Sequence, residues 1–385
     1  MSSVLDLIGN TPLVEVTRLD VGACRLFLKL ESANPSGSIK DRPARAMIEA
    51  AEKDGRFKPG GTIVEATAGN TGLGLALVGS RKGYRIVLIV PDKMAREKIL
   101  HAKAMGAEIV LTRSDVGKGH PDYYQDMAEA ITQRTPGAIY INQFENPANP
   151  QSHYETTGPE ILKQMEGGVD AVVVGVGSGG TLTGIGRFMK SVSPKTTMVL
   201  ADPVGSVLAP YIETGKMMEA GSWTVEGIGE DFIPANCDLS LVQQAYSISD
   251  QEAFATAREL LSKEGIFAGS SSGTLLSAAL KFCREQREQS ASSALSVIRA
   301  RSTSRRSSMM PSWRRKVGPI ARTSEPSAIS SSTAIMRGAL LRCSPATRCA
   351  PRSPACGRPT YRSFRWSIAS VSSAWSMRAT CCRLC

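Results

Sequence analysis

Ala171-Val172-Val173-Val174-Gly175-Val176-Gly177-Ser178-Gly179-Gly180-Thr181-Leu182-Thr183-Gly184 reads as a short strand of branched apolar residues, a glycine-rich loop and the start of a helix. An unbroken apolar run of this length fits a strand covered on both faces, as in a parallel sheet. The glycines let main-chain amides come close to a phosphate, and Ser178 and Thr181 add hydroxyl donors. Outward from this stretch the same alternation recurs. Strands are predicted at 26–30, 62–66, 85–90, 108–112, 138–141, 171–175, 197–201 and 245–248. Helices fall between them. In 43–54, Ala44, Met47, Ile48 and Ala51 share one face, and Ser249-Asp250-Gln251-Glu252 forms a capping box ahead of Phe254, Ala257, Leu260 and Leu261. Repeated strand–helix units mean parallel sheets covered by helices. Their number is too large for one compact sheet, so an α/β fold of two domains facing a cleft is expected.

From about Ser290 the periodicity stops and the composition turns to Ser, Arg, Ala, Pro and Cys. Residues 290–385 hold sixteen Arg, one Lys and a single acid, Glu325, a net +16. The whole chain carries +11, so residues 1–289 carry −5. A nucleic-acid or anionic-membrane surface would be drawn from the folded elements rather than from one end, so neither partner is expected. A shifted reading frame accounts for the tail better than a disordered basic or Arg/Ser-rich interaction segment. Met309-Met310-Pro311-Ser312-Trp313 reads ATG ATG CCN TCN TGG with a TCN serine codon, and one base earlier NAT GAT GCC NTC NTG encodes an acidic, amphipathic run. Cys24, Cys237 and Cys283 are isolated thiols, and Cys343, Cys349 and Cys356 match no tetrahedral metal spacing. With no signal peptide and no apolar run of 18 residues, a reduced, cytoplasmic protein is expected.

Three further loops carry chemistry. Asn34-Pro35-Ser36-Gly37-Ser38-Ile39-Lys40-Asp41-Arg42-Pro43 lies between a strand and a helix, where partial desolvation turns a lysine into an amine nucleophile. Taken alone, Lys40 reads more simply as a surface lysine beside a helix cap. Glu65-Ala66-Thr67-Ala68-Gly69-Asn70-Thr71-Gly72 is a second such junction, with amides and the Thr67 and Thr71 hydroxyls suited to a carboxylate or phosphate. Gly269-Ser270-Ser271-Ser272-Gly273 precedes a helix at 274–286 and presents either a cap or a hydroxyl aimed at a ligand ring. A nicotinamide dehydrogenase competes on one loop: Gly175, Gly177 and Gly180 satisfy G-x-G-x-x-G, and Asp202 ends the next strand, where a ribose acid would stand.

Together these loops supply a lysine for a Schiff base, one cup for a cofactor phosphate and one for a substrate carboxylate. Over residues 5–289 the sequence resembles the fold-type-II pyridoxal-phosphate enzymes of the cysteine synthase and cystathionine β-synthase family. The resemblance rests on Gly9-Asn10-Thr11-Pro12, the lysine stretch, Gly69-Asn70-Thr71-Gly72, Asn142-Gln143-Phe144, His153-Tyr154-Glu155-Thr156-Thr157, the glycine loop and Glu226-Gly227-Ile228-Gly229. It implies a tryptophan synthase β-like architecture with the cofactor, pyridoxal 5'-phosphate, between a larger domain of residues 1–41 and 151–289 and a smaller one of 42–150, then the 290–385 tail. The family's catalytic domain usually continues past residue 289, so its last elements are expected to be missing, and a silent or merely binding product is a reading to weigh.

By the same resemblance Lys40 binds the cofactor and acts as base at Cα, while Asn70 bonds its ring hydroxyl. Gly177, Ser178, Gly179, Gly180 and Thr181 hold its phosphate, and Ser271 faces its ring nitrogen. A neutral hydroxyl at that nitrogen weakens the electron sink and suits β-elimination. Thr67, Ala68, Gly69, Thr71, Gln143 and Gly227 are placed around the substrate; Ala68 stands where family members often have Ser. The implied reaction replaces the β-substituent of serine or O-acetylserine by a thiol or sulfide through an aminoacrylate, in a homodimer without a metal. Asp202-Pro203-Val204-Gly205-Ser206 and the 226–234 loop look more like the cystathionine β-synthase branch than cysteine synthases.

Overall fold

The computed structural model describes residues 3–286 apart from Ala68, Lys118 and Gly167, together with the backbone of Ser293–Ile298, Ser332–Met336 and Ala339–Cys343. The strands of its first unit are β1 (Leu13–Glu15), β2 (Arg25–Leu30), β3 (Thr62–Ala66), β4 (Arg85–Pro91), β5 (Glu108–Thr112), β6 (Ala138–Tyr140), β7 (Ala171–Val174), β8 (Thr197–Pro203), β9 (Gln244–Ile248) and β10 (Ser293–Ile298). The helices are α1 (Asp41–Lys53), α2 (Asn70–Arg81), α3 (Arg96–Ala104), α4 (Tyr124–Arg134), α5 (Ala148–Ser152), α6 (Gly158–Gln164), α7 (Gly180–Val192), α8 (Leu208–Thr214), α9 (Asp250–Glu264) and α10 (Ser270–Glu285). A π-helical turn, His153–Thr157, joins α5 to α6.

Two sheets result. The larger has the order β1-β2-β10-β7-β8-β9 and is parallel except for β1; the smaller has the order β5-β4-β3-β6 and is parallel throughout. Leu26, Leu28, Val172, Val174, Val199 and Leu276 are buried in the core of the larger sheet. On the smaller sheet the pleat separates two cores: Ile63 packs with Ala44, Met47 and Leu75 of α1 and α2, while Val64 and Ala66 pack with Ala128 and Ile131 of α4. Ser249 caps α9, its hydroxyl accepting the Glu252 amide at 3.3 Å, as its place before the apolar stripe predicts.

One boundary needs correction. The larger sheet was expected to stop at residue 289 with its last elements missing, but β10 lies beyond it, pairing Leu295 with Phe27 on one side and Val172 on the other. Without this strand β2 and β7 would face each other across unpaired backbone groups in the middle of a sheet, which is costly where water is excluded. The second unit, Ser308–Cys385, contains strands β11 (Ser332–Met336) and β12 (Ala339–Cys343), paired antiparallel. The remaining tail expectations, including those on Cys349 and Cys356, lie outside the described residues.

Candidate active site

The lysine stretch, the 65–72 loop and the glycine loop follow the C-terminal ends of β2, β3 and β7, the usual place for a ligand in an open α/β sheet, whereas Gly269–Gly273 follows α9 and opens α10. Lys40 is the residue before α1 and is only 6% exposed. Its loop is pinned from both sides. Asp41 accepts the Ser36 amide at 2.7 Å and the Ser36 hydroxyl, and burial raises its carboxyl to about 6 against those bonds. Arg42 is bound by both oxygens of Glu31, at 2.8 Å each, and both oxygens of Glu160, at 2.7 Å each. Lys29, fully buried, adds a bond to Glu160 at 2.7 Å. This network joins β2, α1 and α6 and fixes where the Lys40 side chain emerges.

The Lys40 ammonium donates to Ser178 Oγ at 3.2 Å, which brings the lysine to the glycine loop. Gly179 has φ +83° and caps α7 without a side chain; a Cβ there would lie 2.6 Å from that of Cys237, so only glycine turns the loop at this point. A Cβ on Gly180 would collide with Asn149 Oδ1. Main-chain amides at a helix N-terminus with the Ser178 and Thr181 hydroxyls fit a phosphate ester, and the adjacent primary amine fits an aldehyde. Thr181 in turn is held at 3.3 Å by His153, a buried ring that also meets Thr157 at 2.9 Å.

The second cup is built from β3, α2 and the turn after β6. The Thr71 hydroxyl donates to Gln143 Oε1 at 2.6 Å, and the Thr67 hydroxyl accepts the Gly69 amide at 3.2 Å. Asn149 connects the two cups, its Nδ2 donating to Ser178 Oγ at 2.9 Å and to the Gln143 carbonyl at 2.8 Å. A continuous path of contacts therefore runs Lys40–Ser178–Asn149–Gln143–Thr71. Asn70, half-buried, opens α2 beside Thr71, and Thr181 opens α7 after the glycine loop; Ser271 is buried in the first turn of α10. Gly227, exposed with φ +80°, lies on a loop tied down by Glu226 N to Ser270 Oγ at 3.2 Å and Gly229 N to Val176 O at 2.8 Å. Lys98 on α3 reaches Glu226 of the same loop at 2.5 Å. Ala68 lies outside the described residues.

Asp202, the acid on which the dehydrogenase reading depends, is fully buried and caps α8 by accepting the Ala209 amide at 2.9 Å. It is spent on structure. Among the described residues no three His, Cys, Asp or Glu side chains group as metal ligands, and no helix is long and apolar enough to cross a membrane.

A family model described as pyridoxal-phosphate dependent enzyme matches residues 4–298, and the chain belongs to that family. The family's cofactor is pyridoxal phosphate, and the site's two cups and lysine fit it. The chain is 41% identical over 295 residues to the cystathionine beta-synthase of Saccharomyces cerevisiae, covering 74% of this chain and 58% of that protein. It is 43% identical over 281 residues to cysteine synthase A of Escherichia coli strain K12, covering 72% and 86%. The chain thus spans little more than half the length of the cystathionine synthases it matches. Among solved structures it resembles a hydrogen sulfide-producing enzyme from Fusobacterium nucleatum, with TM-score 0.72, 35% identity and coverage of 78% and 98%. An O-ureido-L-serine synthase matches with TM-score 0.72, 33% identity and coverage of 78% and 92%.

Proposed function

We propose that the protein exchanges the β-hydroxyl of serine for the thiol of homocysteine, giving cystathionine and water. The observation that carries this reading is the contact path from Lys40 to Thr71, which sets an amine, a phosphate cup and a carboxylate cup side by side. The homocysteine branch is favoured by the 202–206 and 226–234 stretches, and 40–41% identity to cystathionine beta-synthases of yeast and honeybee is consistent with it. The runner-up, sulfide addition to O-acetylserine, is supported by the identity to the bacterial cysteine synthase.

Pyridoxal phosphate, when bound, supplies the electron sink that lets a proton leave Cα and a group leave Cβ. The loop 177–181 would hold its phosphate by amides and by Ser178 and Thr181. Lys40 would take the proton from Cα, and its hydrogen bond to Ser178 keeps it at the cup's edge. Thr67, Thr71 and Gln143 would hold the substrate carboxylate, and Asn70 and Ser271 would bond the cofactor's ring hydroxyl and ring nitrogen. The arrangement is taken to work as a homodimer in the cytoplasm, and the buried free thiols Cys24, Cys237 and Cys283 suit a reducing compartment.

The test is turnover of serine and of O-acetylserine with homocysteine or sulfide, products separated by mass. Cystathionine from serine is the expected result, and Lys40→Ala abolishes it together with the visible absorbance of lysine-bound cofactor. Faster turnover with sulfide overturns the homocysteine branch, and full activity in Lys40→Ala overturns the site.

A further inference from the structure

Glu65 is a carboxyl in the middle of an apolar strand, with no accessible surface. On β3 it points to the same face as Ile63 and Thr67, toward α1, α2 and Lys40, because alternate residues of a strand share a face. Its Oε1 accepts the Gln143 amide at 3.4 Å, while its Oε2 is buried with no hydrogen-bond partner among the described residues. At the turn it meets, Asn142 has φ +50°, a left-handed conformation that asparagine tolerates better than most non-glycine residues.

Gln143 is framed on its other sides. Its carbonyl accepts Nδ2 of Asn149 at 2.8 Å and of Asn236 at 2.9 Å, and its Oε1 accepts the Thr71 hydroxyl at 2.6 Å. Glu65 faces both the backbone of the turn and the Gln143 carboxamide. With Oε1 of Gln143 occupied by Thr71, an Nε2 hydrogen is what the side chain can offer a ligand.

We propose that Glu65 is a positioning residue of the substrate-carboxylate site: its buried carboxyl anchors the left-handed Asn142–Gln143 turn by accepting backbone N–H, and so aims the Gln143 carboxamide at the α-carboxylate of the amino-acid substrate. The inference rests on the assignment of Gln143 to that carboxylate. A carboxyl beside a carboxylate site needs to be neutral. Burial raises Glu65 to about 8, against the Asn142 and Gln143 amides, the Gln143 side chain and the Lys40 charge, so at neutral pH it accepts a hydrogen bond without repelling an anion.

The probe is L-alanine, which has the α-carboxylate but no leaving group, titrated calorimetrically into holoenzyme, alongside steady-state kinetics with serine. Glu65→Met fills the volume but cannot accept; it is expected to weaken L-alanine by about tenfold and to raise KM for serine similarly, with kcat within about threefold. Glu65→Gln keeps a neutral acceptor and restores both. Gln143→Ala weakens L-alanine at least as much as Glu65→Met. Wild-type affinity in Glu65→Met, or equal damage in Glu65→Gln, overturns the role of Glu65. Wild-type affinity in Gln143→Ala removes the carboxylate assignment and the inference with it. Where Glu65→Met fails to take up cofactor, Glu65→Asp decides: withdrawing the carboxyl by one methylene weakens L-alanine, and unchanged affinity overturns the proposal. L-alanine binding does not involve the sulfur nucleophile, so an error between homocysteine and sulfide leaves these outcomes intact.

Discussion

Asp41 and Glu160 both feel the Arg42 guanidinium, yet their carboxyls shift in opposite directions. For Glu160 burial works against ionisation, but the bonds and charge of Arg42 and the Lys29 bond win and hold it at about 2. Asp41 is raised to about 6, because its burial outweighs Ser36 and the more distant charge of Arg42. The linkage signs follow. Glu160 contributes stability above its unfolded pKa of about 4.3, and this is lost as pH falls toward 2. Asp41 costs nothing below about 3.9 and costs roughly 3 kcal/mol once pH has risen through 6. In urea denaturation followed from pH 3 to 8, Asp41→Asn should therefore flatten the decline between pH 4 and 7, and Glu160→Gln should soften the acid limb. A wild-type profile in Asp41→Asn would show that Asp41 ionises normally. The residues on the contact path were legible to different degrees. Lys40, Thr71 and Gln143 carry chemistry-bearing groups at strand ends or turns, where sequence reading looks for them. Glu65 and Asn149 do not: Glu65 lies inside a strand and Asn149 inside a helix, and each acts only through a residue that folding brings to it, Gln143 and Ser178. The one sequence signal for Glu65 is an acid inside the otherwise apolar Ile63–Val64–Glu65–Ala66 run.

Among the elements, α9 and α10 pack closely at Gly273, where an added Cβ would collide with the Ala253 carbonyl oxygen and lie 2.8 Å from its carbon. Backbone cannot move aside as a side-chain tip can. Gly273→Ala is expected to cost about 1–3 kcal/mol by urea denaturation. Ser271 stands two residues earlier on the same helix, so cofactor titration should also show weaker uptake; normal uptake would mean that α10 absorbs the strain away from its N-terminus. Element prediction succeeded where a strand is a long run of branched residues, as in β4 and β7. It missed β1, whose three residues, Leu13–Glu15, form an antiparallel edge too short for a pattern. It also missed β10, because Ser293-Ala294-Leu295-Ser296-Val297-Ile298 begins a serine- and arginine-rich segment whose composition hides six residues of strand. A central position between β2 and β7 is a property of topology, and nothing local to those six residues announces it.

At the scale of the molecule, the boundary that matters is the one after the last sheet strand. Contacts divide the chain after Ser307, and the family match ends at residue 298. A chain ending at residue 307 is expected to bind cofactor and unfold cooperatively. A chain ending at Gln286, lacking β10, should aggregate, since it leaves strand edges unpaired inside the larger sheet. Equal cofactor uptake and solubility in the two truncations would show that β10 contributes nothing.

The position of β10 also orders events in time. It is the last strand of its sheet to be made but not the last in space, and its register sets Ser293 beside Arg25. During synthesis, β2 leaves the ribosome long before its neighbour exists, an interval on the order of tens of seconds at ordinary elongation rates. Once β7 has also been made, two strands stand with a slot between them that an extended peptide could enter. The partition between native and misassembled chains is therefore expected to respond to translation speed and to chaperone access to the gap.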